Sequence, residues 1–202
     1  MSKSKLYRRI SSIQMGGDSV FKLIPQMPLG GVSKSWAGLN IAEVFSGELV
    51  SVAFDDDNSK KLNTRFKKKY GVVPPGPNTF VSIQGGSAFW SGQNQLMLLL
   101  DGENINADKD VAIKLDGLAY TSLQSDSWAS LTVGGERVYD VLERFTALDL
   151  RQPRDGFAAR SSAHHMAVFI LKLSKTKFHL LTPRSSAQSF YDALCHTADN
   201  VI

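Results

Sequence analysis

The sequence predicts an α+β fold built from two similar lobes, each a mixed or antiparallel sheet with helices packed on it. Three observations lead there. The order strand, helix, strand, strand, helix runs through the chain twice, once from Glu48 and again from Ser127. Alternating apolar residues mark the strands and four-residue apolar spacing marks the helices, and the two patterns do not overlap. A chain of 202 residues buries enough surface to hold one large domain or two small lobes without disulfides or a metal. The expected organisation is an irregular N-terminal arm over 1–35, a first lobe over 36–122 and a second over 123–202, the two lobes packed as one unit.

Residues 1–35 mix Gly, Ser, Pro and scattered apolar residues without sustained periodicity, which reads as an arm ordered only against the body or a partner. Trp36, Leu39, Ile41, Val44 and Phe45 then anchor a short helical or extended segment on the core. In LVSVAF, Val50, Val52 and Phe54 alternate with Ser51 and Ala53 as in a half-buried strand. DDDNS supplies a turn and candidate N-caps. The helix that follows carries Leu62, Phe66 and Tyr70 four residues apart, with its lysines outward and Gly71 as C-cap before Pro74-Pro75.

TFVSI returns the chain, Gly85-Gly86 turns it, AFW continues, and SGQNQ turns again into LMLLL, whose uniform apolarity suits a central strand. NINADKDVAIKLDG is a weaker helix with Ile105, Ala112 and Leu115 inward and Gly117 as its stop. LAYTSL closes the first round as a strand. The second round has strand WASLTV, a turn at Gly134-Gly135, and a helix with Val138, Val141, Leu142 and Phe145 as its apolar stripe. Strands FAARSS, MAVFILKL and KFHLL follow. Ser185 and Gln188 form a capping box for a last helix whose buried face is Phe190, Leu194 and Ala198, so Ser185→Ala is expected to cost about 1 kcal/mol.

Net charge is +4, but ten of the positive charges sit in two patches, residues 1–9 and KKLNTRFKKKY, which leaves the rest of the chain acidic. Such patches steer an acidic partner or a nucleic acid. One cysteine, Cys195, forms no internal disulfide and points to a reducing, cytoplasmic compartment. No apolar run with a cleavage site follows the basic N-terminus, and LMLLL is far shorter than the roughly 20 residues of a membrane span.

Self-sufficient chemistry is not legible. His164-His165 in a strand would point to opposite faces, and no third and fourth ligands stand at a metal-binding spacing. Ser161 and Ser162 lack a nucleophile elbow, and Cys195 reads as a small core residue. Gly30-Gly31-Val32-Ser33-Lys34-Ser35 lacks the ending of a phosphate loop, and Asp55, Asp56, Asp57 and Asn58 lack the glycine and glutamate of a calcium loop. Lys67, Lys68 and Lys69 beside Phe66 and Tyr70 allow a small RNA-binding module, but those aromatics share the buried stripe.

LTVGGERVYDVLERF, TALDL, ARSSAHHMAVFILKL and above all LLTPRSSAQSFYDAL stand in an order that resembles the gamma subunit of heterotetrameric sarcosine oxidases. FWSGQNQLMLLL and FKKKYGVVPPGPN fit the same family more loosely, and residues 1–35 do not. Thr146 stands where a small residue or cysteine is expected. The resemblance implies a fold of the folate-binding aminomethyltransferase type. It implies an accessory chain that packs on an alpha subunit, in a complex with beta and delta subunits that oxidatively demethylates sarcosine or a related N-methyl amino acid. FAD, covalent FMN, NAD and tetrahydrofolate belong on that reading to the larger subunits and zinc to delta, with no catalytic, cofactor or metal residue in this chain. The expected subunit interface is Arg160, His164, His165, Pro183, Arg184 and Ser185. A freestanding folate-binding or aminomethyl-transfer protein is the alternative, with Asp116, Asp126 or Asp149 as its candidate carboxylates.

Overall fold

The computed structural model describes residues 26–45, 47–151 and 156–202. Two antiparallel sheets form from the alternating segments. In chain order the elements are β1 (Ser33–Trp36), β2 (Leu39–Glu43), β3 (Glu48–Ala53), α1 (Ser59–Tyr70), β4 (Phe80–Ile83), β5 (Gly86–Gly92) and β6 (Gln95–Leu100). They continue as α2 (Ala107–Lys114), β7 (Tyr120–Leu123), β8 (Trp128–Gly134), α3 (Val138–Phe145), β9 (Ala158–Ala163), β10 (Met166–Ser174), β11 (Lys177–Pro183) and α4 (Ala187–Val201).

One sheet runs β4-β5-β6-β3-β7 and the other β9-β10-β11-β8-β2-β1, every neighbouring pair antiparallel. Laid side by side, the two orders give the internal repeat. β3, α1, β4, β5, β6 and α2 correspond to β8, α3, β9, β10, β11 and α4, and β7 beside β3 corresponds to β2 beside β8. The predicted pair of similar lobes is therefore a repeated topology. β6 is the middle strand of its sheet, as its uniform apolarity requires.

Burial follows from this layering. α1 and α2 cover one sheet through Leu62, Phe66, Val111 and Leu115 against Val50, Val52 and Leu98. α3 and α4 cover the other through Val141, Leu142, Phe190 and Leu194 against Leu131, Ile170 and Leu180. The inner faces meet in a third layer of Leu49, Phe89, Met97, Ala158, Phe169, Leu171 and Leu181, with the Phe89 and Phe169 rings edge to face at 5.3 Å. Edges β4 and β9 also join: Phe80 N donates to Gly156 O at 2.7 Å and Ala158 N to Asn78 O at 3.2 Å.

The local start and stop signals are met in part. Gly71, at φ 82°, ends α1 with its N–H on Lys67 O. Asp55 and Asn58 make no side-chain cap; a short 3₁₀ turn over Asp56–Asn58 leads into α1 instead. The expected capping box at Ser185 is likewise absent. Arg184–Ser186 is a 3₁₀ turn, α4 begins at Ala187, and Gln188 bonds Asp192 rather than a helix-start N–H.

Four further expectations change. Residues 33–35, read as the end of the arm, form strand β1 together with Trp36, read as the start of the first lobe; residues 1–25 of that arm lie outside the described residues. Residues 39–43, read with the first lobe, pair with β8 in the sheet of the second half, because β2 fills the place that β7 fills in the other sheet. Ile105, expected inward, is 70% exposed, since α2 begins only at Ala107 and buries Ala107, Val111 and Leu115. Phe45, expected to anchor on the core, is 51% exposed beyond the end of β2. No described helix is long and apolar enough to cross a membrane.

Candidate functional site: one end of the six-stranded sheet

Strand register gathers five of the six predicted interface residues. His164 and His165 are the two residues between β9 and β10, at φ 48° and 67°. They form a tight hairpin turn rather than part of a strand, and two positive φ values are what a type I′ turn requires. Without glycine or asparagine such a turn costs energy that its surroundings must offset. The offset is visible: His164 N donates to Phe145 O at 3.2 Å, and the His164 ring stacks on Phe145 at 6.2 Å and 22°. Thr146, where the sequence departs from expectation, bridges to Ala163 and donates its hydroxyl to Ser162 O, which ties the hairpin to the end of α3.

β10 starts where β11 ends, because Phe169 pairs with Leu181, and the Thr182 hydroxyl donates to Ala167 O at 3.1 Å. Pro183 pairs with Trp128, the first residue of β8. The histidine turn, Pro183 and the Arg184–Ser186 turn thus lie at the same end of the sheet. Arg184 reaches Asp126 at 3.8 Å and donates to Gln26 O at 3.2 Å, while Ser185 is exposed. Arg160 sits further along edge strand β9, paired with Phe169, its guanidinium 5.8 Å from that ring.

Sequence reasoning missed Phe45. Val44 N donates to Ser130 O at 2.9 Å, which extends the β2–β8 pairing past Glu43↔Leu131 and leaves Phe45 at this same end. Phe45 is one large aromatic left 51% exposed at this end of the sheet. The one signal for it was the gap in apolar alternation after Glu43. The neighbouring segment is tied to β2 through the buried Glu43 carboxylate, which accepts Leu29 N at 2.9 Å and Gly31 N at 2.7 Å.

The candidate chemical groups elsewhere are engaged locally. Burial pushes the Cys195 thiol up, so it stays protonated and inert, in line with its place in the α3–α4 core. His179 is buried on the inner face of β11, and burial, with Lys177 as a second cause, lowers it to about 4; it is a neutral imidazole whose Nε2 has no hydrogen-bond partner among the described residues. Asp116 pairs with Arg65 at 3.8 Å, Asp126 with Arg184, and Asp149 accepts Arg151 N at 3.1 Å. Each carboxylate proposed for a pteridine is thus held in a separate loop with its own partner. Among the described residues, no group of three or more His, Cys, Asp or Glu is placed to hold a metal ion.

Two sheets with helices outside and a packed layer between define the class. The chain has the fold of aminomethyltransferase-type domains. A chain of the heterotetrameric sarcosine oxidase from Corynebacterium sp. U-96, solved in complex with pyrrole 2-carboxylate, superposes with a TM-score of 0.71 at 15% identity, over 81% of this chain and 85% of that one. The glycine cleavage system aminomethyltransferase T from Bartonella henselae superposes with a TM-score of 0.60 at 12% identity, over 84% of this chain but 56% of that one. No protein-family model and no curated relative matches the sequence.

Proposed function

We propose that this chain is the accessory gamma subunit of a heterotetrameric flavoenzyme that oxidatively demethylates sarcosine or a related N-methyl amino acid. One observation carries the reading: the match to a chain of the sarcosine oxidase covers nearly equal shares of both chains, 81% and 85%, so the two are of similar length. The aminomethyltransferase is matched over a smaller share of its own length, 56%.

On this reading the partners are the alpha, beta and delta subunits, with direct contact to alpha. FAD, FMN, NAD, tetrahydrofolate and zinc are held by those partners. The contribution of this chain is positional, because small displacements of reacting groups are costly in rate. The sheet end supplies a suitable surface: Phe45 as an aromatic anchor beside β8, with Pro183, Arg184, Ser185, His164 and His165 spread along the same end of the sheet, and Arg160 further out on β9. Aromatic and arginine side chains dominate binding energy at such surfaces.

Native mass spectrometry of the assembly isolated through a tag on this chain tests the proposal. The expected result is one copy of the chain in a flavin-bearing complex with three other subunits. A lone chain that retains folate would overturn it in favour of a freestanding folate protein.

A further inference from the structure

The internal repeat supplies a control that most surface patches lack. Each lobe has an open groove between its first helix and the end of its second. In the second lobe the groove is about 400 Å³ and is bordered by Arg137 just before α3, by Asp140, Glu143 and Arg144 of α3, and by Val201 of α4. Its charges are mixed and paired: Arg137 meets Asp140 at 2.8 Å, and Glu143 meets Arg151. In the first lobe the corresponding groove is about 500 Å³ and is bordered by Lys60, Lys61, Thr64, Arg65 and Lys68 of α1 and by Leu118 after α2.

The helix 59–70 carries six cations and no carboxylate. Of the four in the groove, only Arg65 has a carboxylate within 4 Å among the described residues, the exposed Asp116. α3 occupies the equivalent place in the same topology with balanced charge, so the fold itself does not demand this cationic rim. Uncompensated like charges on one helix repel each other and are kept at a small cost in stability.

We infer that the α1 groove is a docking site for an acidic peptide segment of a partner, its carboxylates on Lys60, Lys61, Arg65 and Lys68 and an aliphatic side chain against Leu118. Charge complementarity gives the sign of the occupant. Leu118, partly buried in the groove wall, gives it an apolar contact. Nucleic acid fits less well, because Phe66 and Tyr70 are buried against each other with ring centroids 4.6 Å apart and offer no stacking platform.

This inference does not rest on the assembly reading, since it is tested on the full chain alone. The probes are a fluorescein-labelled peptide of glutamates and leucines and a labelled poly-uridine oligonucleotide of equal charge, titrated by anisotropy at low and at physiological salt. Wild type is expected to prefer the peptide, and K60E/K61E/K68E to weaken it at least about tenfold. Arg144→Glu in the counterpart groove leaves it unchanged. Circular dichroism checks that the triple variant is folded, and K60Q/K61Q/K68Q replaces it if not. Absence of peptide binding, equal binding by the triple variant, or an equal loss in Arg144→Glu overturns the inference. Tighter oligonucleotide binding that the triple variant loses overturns it in favour of a nucleic-acid surface.

Discussion

Arg65 and Arg137 make the same bond in the two lobes. Arg65 Nε donates to Lys114 O at 2.9 Å, and Arg137 Nη2 donates to Val201 O at 2.6 Å. Each guanidinium thus ties the first helix of its lobe to the last turn of the second, where helix carbonyls lack intrahelical partners. Both side chains are partly exposed, so the bonds are screened. Arg65→Met and Arg137→Met are each expected to cost about 1 kcal/mol in urea denaturation. The sites lie in different lobes, so the double variant should show the sum to within about 0.5 kcal/mol. A variant with wild-type stability would show that the shared bond carries no energy in that lobe.

His179 makes stability depend on pH. Its imidazole is buried and lowered to about 4, whereas in the unfolded chain it titrates near the ordinary histidine value of about 6.5. Between those values the unfolded state binds more protons, so stability rises with pH there. The contribution is fully present above about 6.5 and is lost as pH falls toward about 4, an effect of roughly 3 kcal/mol. His179→Leu should flatten that part of the profile in denaturation curves taken from pH 7 to pH 4. A slope unchanged by the substitution would assign the pH dependence to other groups.

Gly135 has no room for a side chain. It sits at φ 130° between β8 and α3, and an added Cβ would overlap the carbonyl of Gly38, the same carbonyl that accepts Arg137 N at 3.0 Å. Gly135→Ala is expected to destabilise by more than about 2 kcal/mol, because both the conformation and the contact oppose it. In a chain of this size that is a fall in melting temperature of about 4–8 °C. A melting temperature within error of wild type would mean that the β1–β2 turn yields freely.

Ser185 and Ser186 should behave differently. Ser185 is exposed and caps nothing, so Ser185→Ala should change stability by less than about 0.5 kcal/mol rather than the 1 kcal/mol of a lost cap. The Ser186 hydroxyl donates to Pro183 O at 3.2 Å and is half-buried, so Ser186→Ala should cost about 0.5–1 kcal/mol. Paired chemical denaturation of the two variants decides, and the reverse ranking would restore the capping box.

The sheet end separates assembly from stability. Phe45 is exposed and the side chain of Arg184 is 43% exposed, so Phe45→Ser and Arg184→Glu should leave the melting temperature of the isolated chain nearly unchanged. On the proposed assembly, both should reduce recovery of the flavoprotein subunits at least about tenfold in a quantitative pull-down. Full recovery with both variants would move the interface elsewhere on the surface.

Much of the fold was legible because burial writes itself into spacing. Leu62, Phe66 and Tyr70 recur every four residues and are all buried on α1, and Val138, Val141, Leu142 and Phe145 do the same on α3. LMLLL announced a strand with neighbours on both sides, and it has them. The histidine pair was harder to read, since its place in a turn rests on positive φ at residues that seldom adopt it. Ser185 had the right neighbours for a capping box, but a 3₁₀ turn moved the helix start one residue on, so Ser186 stands at the N-cap position.

By itself the sequence determined the helices and strands from Glu48 onward and the inward faces of α1, α3 and α4, because apolar burial acts residue by residue at a fixed period. Only the tertiary structure decided that β1 and β2, which come before every first-lobe strand in the chain, complete the second-lobe sheet. It put Phe45, Pro183 and the histidine turn at one end of a single sheet, and it let Arg65 and Arg137 each reach the end of the second helix of its lobe. The physical reason is that backbone donors and acceptors are alike in every strand. Which edge a strand joins is therefore settled by the packing of distant side chains, here Leu39 and Ile41 against Leu131, Val133 and the α3–α4 layer.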